Sequence, residues 1–155
     1  MNDDMSRIDA TEGAAGRLPP AWFWVIAIVV LFWYLTDMSA FFMRVWSVDE
    51  VVKAMPANQQ HLYRDMPLWV NVVFGAEVFG GVLGCIAMLF RRRWALPLFV
   101  VSILGVLSQA FHIYFLSDAI DTMGTPAVVM PLVAILIGTL MIVLAKSAIA
   151  RRWLR

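Results

Sequence analysis

The 155-residue sequence predicts an all-α membrane protein with four transmembrane helices packed as an antiparallel bundle. Hydrophobic residues make up 62% of the chain, whereas soluble domains contain roughly 45 to 50%. Four apolar segments also reach the roughly 20 residues that a helix needs to cross the hydrocarbon layer. These segments lie at about residues 20–43, 67–90, 94–116 and 126–145.

The basic residues predict the orientation of the bundle. Most of them precede the first segment, join the second to the third, or follow the fourth, and lysine and arginine are enriched in cytoplasmic loops. We therefore expect a bacterial inner-membrane protein with both termini in the cytoplasm. The net charge of +1 and the absence of a basic patch favour the lipid bilayer, not nucleic acid, as partner. The residues concerned are Arg7, Arg17, Arg91, Arg92, Arg93, Lys146, Arg151, Arg152 and Arg155.

The first 17 residues are predicted to form a mobile cytoplasmic tail, because acidic residues outnumber basic ones and no apolar segment is present. The apolar segment that follows has no clear small-residue cleavage site, so we expect an uncleaved first helix. Residues 18–155 then form a single four-helix transmembrane domain.

The first outer loop is long enough for structure of its own. Ser47 and Glu50 have capping-box spacing, and a run of apolar residues at i, i+3, i+4 and i+7 predicts a short amphipathic helix that ends at Pro56. This helix is predicted to lie on the outer membrane surface, as a lid over the bundle or as a contact for lipid or a partner. His61, further along the loop, is expected to be a solvated residue. The apolar positions are Val48, Val51, Val52 and Met55.

The remaining connections are short. The sequence RRRW at residues 91–94 predicts a tight turn, which makes the second and third helices antiparallel neighbours. Thr125 is predicted to cap the fourth helix, with Pro126 at its first position. Cys85 is expected to be a small buried residue. The tryptophans near helix ends are expected to be interfacial anchors: Trp22, Trp24, Trp46, Trp69, Trp94 and Trp153.

Polar side chains interrupt the apolar segments at similar depth. Glu77 stands in the stretch NVVFGAEVFGGVLGC, and an ionisable group in hydrocarbon costs about 2.5 to 3.5 kcal/mol on insertion scales, so it is expected to face protein or water. The spacing predicts one polar site in the outer half of the bundle, roughly 7 to 15 Å below the outer helix ends. The site would contain Asp37, Glu77, Gln109 and His112, with Tyr34 on the same stripe of the first helix.

Small residues share the faces of these polar groups. Gly80 and Gly84 follow Glu77 on one face of the second helix, Gly105 precedes Gln109 on the third, and Gly138 lies on the fourth. Such small-xxx-small patterns allow helices to approach closely in membranes. We predict that these glycines form helix-packing contacts.

Two readings of the polar site are open. The carboxylates and the histidine would bind a solute, an ion or a proton, or they would form interhelical hydrogen bonds worth around 0.6 kcal/mol each. No paired His or Cys and no Glu-x-x-His pair is present, so no metal site is predicted, and no cofactor is indicated. Ser108 and His112 at i, i+4 are more typical of helix packing than of catalysis. No catalytic residue is therefore predicted, and an enzymatic activity is not favoured.

Four stretches carry a resemblance: HLYRDMPLW, EVFGGVLGC, RRRWALPLFVVSILGVLSQ and FLSDAIDTMG. They resemble a family of small bacterial four-helix inner-membrane proteins that often receive the automatic label "sugar transporter". The resemblance covers roughly residues 20–155 and is strongest in the third helix. It implies four membrane spans, and it provides no binding residues to carry over.

The sequence thus leaves two function classes. In the first, a homo-oligomer binds or transports a small polar solute or a proton, since four helices alone enclose little space. In the second, the chain is an accessory subunit of a larger membrane complex, held through its glycine faces and its outer loop.

Overall fold

The computed structural model describes residues 18–154, and the regular structure in this part of the chain is entirely helical. The tail predicted at residues 1–17 lies outside the described residues. Four helices are long and apolar enough to cross a membrane, which indicates a multi-pass membrane protein. They are α1 (Ala21–Trp46), α4 (Leu68–Leu89), α5 (Ala95–Phe111) with a π-helical continuation (His112–Leu116), and α7 (Thr125–Ala150). Three short helices lie in the connections: α2 (Val48–Ala54), α3 (Gln60–Arg64) and α6 (Ala119–Met123).

The four predicted long apolar helices are confirmed, although two of them extend beyond the predicted ends. α1 continues to Trp46 and α7 continues past Lys146 to Ala150. The apolar segment marks only the part of a helix that lies in hydrocarbon, whereas backbone hydrogen bonding continues into the headgroup region. Hydropathy therefore locates a span better than it locates a helix end.

Both predicted helix caps differ from the structure. Ser47 precedes α2 as expected, but its side chain makes no capping hydrogen bond. Its carbonyl oxygen instead accepts from the amides of Glu50, at 3.1 Å, and Val51, at 3.0 Å. At α7 the capping position is occupied by Gly124, with φ of 67° and ψ of −139°, and Thr125 is already the first helical residue. Glycine adopts this backbone region far more readily than other residues, so it displaces Thr125 from the cap.

α4 ends in a Schellman motif with arginine at the left-handed position. Arg91 has a φ of 57°, its amide donates to the carbonyl of Met88 at 3.0 Å, and the amide of Arg92 donates to that of Ala87 at 2.7 Å. Glycine is the usual residue at this position. The motif reverses the chain sharply and produces the tight turn expected at residues 91–94.

α7 ends in the same motif, and the chain then folds back onto the bundle. Arg152 also has a φ of 57°, and the Trp153 amide donates to the Ala148 carbonyl at 2.8 Å. Trp153 was expected to be an interfacial anchor, yet it is 7% exposed and its ring packs edge-on against Phe23 at 5.8 Å. The reversal at Arg152 explains the difference, because it turns the indole inward.

The apolar core lies at one end of the bundle, which we call the closed end. It is formed by the first half of α1, the second half of α4, the start of α5 and the second half of α7. Cys85 belongs to it and is fully buried, as expected. Its main members are Phe23, Ala27, Val30, Tyr34, Val82, Cys85, Met88, Ala95, Phe99, Met141, Leu144, Ala145, Ala148, Trp153 and Leu154.

α4 lies between α1 and α5, and α5 also packs against α7. A Cβ at Gly80 would lie 2.9 Å from the Leu98 carbonyl oxygen, and one at Gly84 would lie 2.8 Å from the Phe99 ring. A Cβ at Gly138, by contrast, would meet Ile103 at an ordinary 3.5 Å. The close approach of α4 to α5 therefore depends on glycine, whereas the packing around Gly138 does not.

Candidate intramembrane binding site

A cavity of about 190 Å³ lies among the four long helices, on the other side of Tyr34 from the closed end. We call it the carboxylate cavity, because Asp37 from α1 and Glu77 from α4 line its wall. No basic residue lines it in the described part of the chain. Its lining is completed by Trp33, Phe74, Val106, Gln109, Ile113, Met130, Pro131 and Ala134.

Glu77 is held by α5. Its side chain is 6% exposed, and the Gln109 amide donates a hydrogen bond to its Oε2. A Cβ at Gly105, one turn before Gln109, would lie 2.8 Å from the Glu77 Cβ and 2.7 Å from the Val73 carbonyl oxygen. The missing side chain at Gly105 thus allows α5 close enough for Gln109 to reach the carboxyl group.

Tyr34 lies between the carboxylate cavity and the closed end. It is 3% exposed, packs against Gly81, and accepts a hydrogen bond at 3.2 Å from the Ser102 hydroxyl. Tyr34 does not line the cavity itself. Tyr34 instead separates the cavity from the closed end and connects α1 to α4 and α5 through these contacts.

A second cavity, of about 320 Å³, adjoins the first, and Ile113 and Met130 line both. We call it the arginine cavity. Arg44 lines it, with its guanidinium 4.7 Å from the Tyr63 ring centroid and 5.0 Å from that of Phe74. No acidic residue lines this cavity among residues 18–154. The rest of its wall is mainly apolar: Leu62, Met66, His112, Ile113, Ser117, Ala119, Met123, Pro126, Ala127 and Met130.

His112 lines the arginine cavity and not the carboxylate cavity. It is 8% exposed, and its ring packs edge-on against Trp69 at 5.5 Å. Three residues advance about 300° around an α-helix, so His112 faces roughly 60° away from Gln109. The structure therefore brings Asp37, Glu77 and Gln109 into one cavity and places His112 in the next, and their joint role as a site stays a prediction.

Sequence reasoning missed a contact between two loops. The His61 side chain is 43% exposed, as expected for a solvated residue, but its Nε2 also lies 2.9 Å and 3.1 Å from the two carboxylate oxygens of Asp118. The hydrogen bond from His61 holds the pKa of the Asp118 carboxyl below its usual value of 3.8. No local pattern signals this pair, because it depends on where the two connections meet.

Comparison of the chain with known protein families, with curated proteins and with solved structures found no match. The family resemblance therefore stays a prediction. Among residues 18–154 no group of three or more His, Cys, Asp or Glu side chains is arranged to hold a metal ion. What the carboxylate cavity offers chemically is a set of carboxyl and amide oxygens beside aromatic and apolar walls.

Proposed function

We propose that this protein is an integral inner-membrane protein that binds a small polar solute or a proton through Asp37, Glu77 and Gln109. The observation that carries the proposal is the carboxylate cavity, in which two carboxyl groups share about 190 Å³ of space. Carboxyl groups inside a membrane are costly, and they typically mark ion, proton or solute pathways. If Glu77 served only to join α4 to α5, its hydrogen bond to Gln109 would need no cavity beside it.

The orientation belongs to the same proposal. Phe99 neighbours Gly84, whereas Gly105 neighbours Glu77. Later residues of α5 therefore contact earlier residues of α4, which supports antiparallel packing. Arg91 and Arg152 lie at the closed end, and clustered arginines favour the cytoplasmic side. The termini would then be cytoplasmic and both cavities would open outward.

α2 would cover the outer rim of the bundle. Val52 is 1% exposed, whereas Val48 on the same short helix is 38% exposed. Burial of Val52 within the chain supports the lid interpretation of the amphipathic helix. Val48 remains free for lipid.

Transport, as distinct from binding, would need a path from the carboxylate cavity to the cytoplasmic side, or a change in conformation that opens one. Phe23, Phe99 and Met141 are fully buried at the closed end, so a solute in the carboxylate cavity meets packed side chains on its cytoplasmic side. A homo-oligomer whose subunits line a shared path would provide that route. Binding is therefore the primary activity proposed, with transport by a homo-oligomer as its extension.

Native mass spectrometry of the protein released gently from its own membrane tests the binding proposal. We expect a small molecule bound to the unaltered protein and absent from a double variant with Asp37→Asn and Glu77→Gln. Asp121→Asn, an exposed acid in α6, is the matched control and should retain the ligand. A proton flux assay in proteoliposomes with the same three proteins covers the case in which the solute is a proton. Identical spectra and identical flux for all three would contradict the proposal.

The second proposal is an accessory subunit of a larger membrane complex. It is favoured by α1, which packs mainly on α4 and leaves Val25, Val29 and Phe32 exposed on its other faces. The same mass spectra decide between the two, because this proposal expects the chain to leave the membrane attached to different subunits. A homogeneous species that contains only this chain would contradict it.

A further inference from the structure

The two adjoining cavities differ in their polar groups, with carboxyl groups in one and a guanidinium in the other, and this pairing indicates what kind of molecule would occupy them. The carboxylate cavity contains Asp37 and Glu77 without a basic residue, and the arginine cavity contains Arg44 without an acidic one, within the described chain. Ile113 and Met130 form a shared apolar wall. A ligand that used both cavities would therefore carry two charged ends separated by an apolar stretch.

α1 sets the distance between the two ends. Arg44 follows Asp37 by two helical turns on nearly the same face, so their backbones are roughly 10 Å apart along the axis. Phe74 contacts both parts of the site, since it lines the carboxylate cavity and its ring centroid lies 5.0 Å from the Arg44 guanidinium.

Asp37, Glu77 and Arg44 take part in no direct ion pair within residues 18–154. The one salt bridge among residues 18–154 joins His61 to Asp118, which lies in the connections. Arg44 is held instead by the faces of Tyr63 and Phe74, and such stacking leaves the edge of a guanidinium free to bind a carboxylate through two hydrogen bonds.

We propose that the two cavities together bind a dipolar molecule of the ω-amino acid class. This inference rests on the proposed function of the carboxylate cavity and specifies its substrate. The ammonium group lies in the carboxylate cavity, between Asp37 and Glu77 and beside Trp33, where charge-assisted hydrogen bonds and cation–π attraction act together. The carboxylate group lies at Arg44, and the methylene chain passes Ile113 and Met130.

We expect shorter relatives to bind more weakly. In an α-amino acid the nitrogen and the carboxyl carbon are two bonds apart, roughly 2.5 Å, whereas the backbones of Asp37 and Arg44 are roughly 10 Å apart along the helix axis. A simple amine has no group for Arg44, and a simple carboxylate has none for Asp37. Chain length and both charges are therefore all expected to matter.

Calorimetric titration of the protein in lipid nanodiscs tests the proposal, with empty nanodiscs correcting for partition into lipid. The probes are glycine, hexylamine, hexanoate and 6-aminohexanoate. Each missing end removes one charge-assisted pair, so we expect the first three to bind roughly ten-fold or more weakly than 6-aminohexanoate.

Three variants test which end of the ligand binds at Arg44 and which binds at Asp37 and Glu77. Arg44→Gln should reduce 6-aminohexanoate to the affinity of hexylamine, and Arg44→Lys should restore part of the difference because it keeps the charge. Asp37→Asn combined with Glu77→Gln should reduce 6-aminohexanoate to the affinity of hexanoate. Arg64→Gln is the matched control, since Arg64 is exposed at the end of α3, and it should leave every affinity unchanged.

The outcomes separate this inference from the proposed function. If hexylamine binds as tightly as 6-aminohexanoate and Arg44→Gln changes nothing, the dipolar ligand is wrong, whereas binding at Asp37 and Glu77 stands. The same conclusion follows if no probe binds while the double carboxyl variant still loses its native ligand or proton flux. If no probe binds and the double carboxyl variant also keeps its native ligand and its proton flux, both proposals fail.

Discussion

Gly105 determines at the scale of one residue how closely α5 approaches the carboxylate cavity. A Cβ there would lie 2.7 Å from a backbone oxygen of α4. A backbone atom cannot move aside as the end of a flexible side chain can. Gly138 has its nearest neighbour at 3.5 Å. The two glycines therefore provide a matched pair in which the same added methyl group has opposite consequences.

We predict that Gly105→Ala lowers the free energy of unfolding by about 1 to 3 kcal/mol, because it overpacks the contact between α4 and α5. Gly138→Ala should be neutral or stabilising by up to about 1 kcal/mol, through helix propensity. Denaturant titration in detergent micelles, followed by circular dichroism, measures both. Equal effects of the two substitutions would show that the close approach at Gly105 is not needed.

The left-handed arginines lead to a second prediction. A residue with a Cβ is strained at a φ of 57°, so Arg152→Gly should raise the free energy of unfolding by roughly 1 kcal/mol. Arg91→Gly relieves the same strain but also removes the hydrogen bond from the Arg91 Nε to the Trp153 carbonyl, at 2.8 Å. We expect little or no gain there, and thermal unfolding of the two variants side by side tests the contrast.

At the scale of the elements, the contact of His61 with Asp118 joins α3 to the segment that leads into α6. Asp118→Asn should weaken the contact, and amide hydrogen exchange should then accelerate at residues 60–64 and 119–123. Asp121→Asn lies on the same short helix and is the control. Equal exchange in the two variants would mean that the connections are held together without this pair.

The acid dependence of this contact follows from the Asp118 pKa, which His61 lowers below 3.8. A carboxyl group with a lowered folded pKa stabilises the folded form above its unfolded pKa and loses that contribution as the pH falls through the folded value. The contact is therefore kept while Asp118 is ionised, and it weakens as the pH falls below the usual value of 3.8 and through the lower folded pKa of Asp118. Hydrogen exchange measured on both sides of that range should show the onset, and Asp118→Asn should abolish it.

How far the sequence predicts an element depends on whether its cause is local. The four spans follow from the length of apolar runs, and the turn at residues 91–94 follows from the shortness of the connection, so both could be predicted. The burial of Trp153 could not be, because it depends on a left-handed arginine that no pattern marks. The separation of His112 from Gln109 was missed because a shared stripe was assumed over three residues that turn by about 300°.

At the scale of the whole molecule, the bundle is packed at one end and hollow toward the other. The polar residues Asp37, Glu77 and Gln109 were predicted to meet from their depth and their helix faces, and they line one cavity. The arginine cavity was not predicted, since it depends on how the connecting helices fold over the bundle. Hydropathy describes the depth of a residue, whereas cavities depend on contacts between distant segments.

Cysteine labelling tests this asymmetry. In a Cys85→Ala background, Ile113→Cys should react with a membrane-impermeant thiol reagent added outside the cell, because Ile113 lines both cavities. Met141→Cys should not react from either side, because Met141 is fully buried. Labelling of the Ile113 variant only from the cytoplasm would mean that the proposed orientation is reversed. Labelling of both variants would contradict the tight packing of the closed end.

The return of the chain at Arg152 has a consequence for biosynthesis. Leu154 is fully buried and Trp153 packs on Phe23, so the first span completes its contacts only with residues that the ribosome adds after all four spans. The hydrogen bond from the Arg91 guanidinium to the Trp153 carbonyl also depends on these residues. The contacts between the two turns at the closed end can therefore form only after all four long helices have been synthesised.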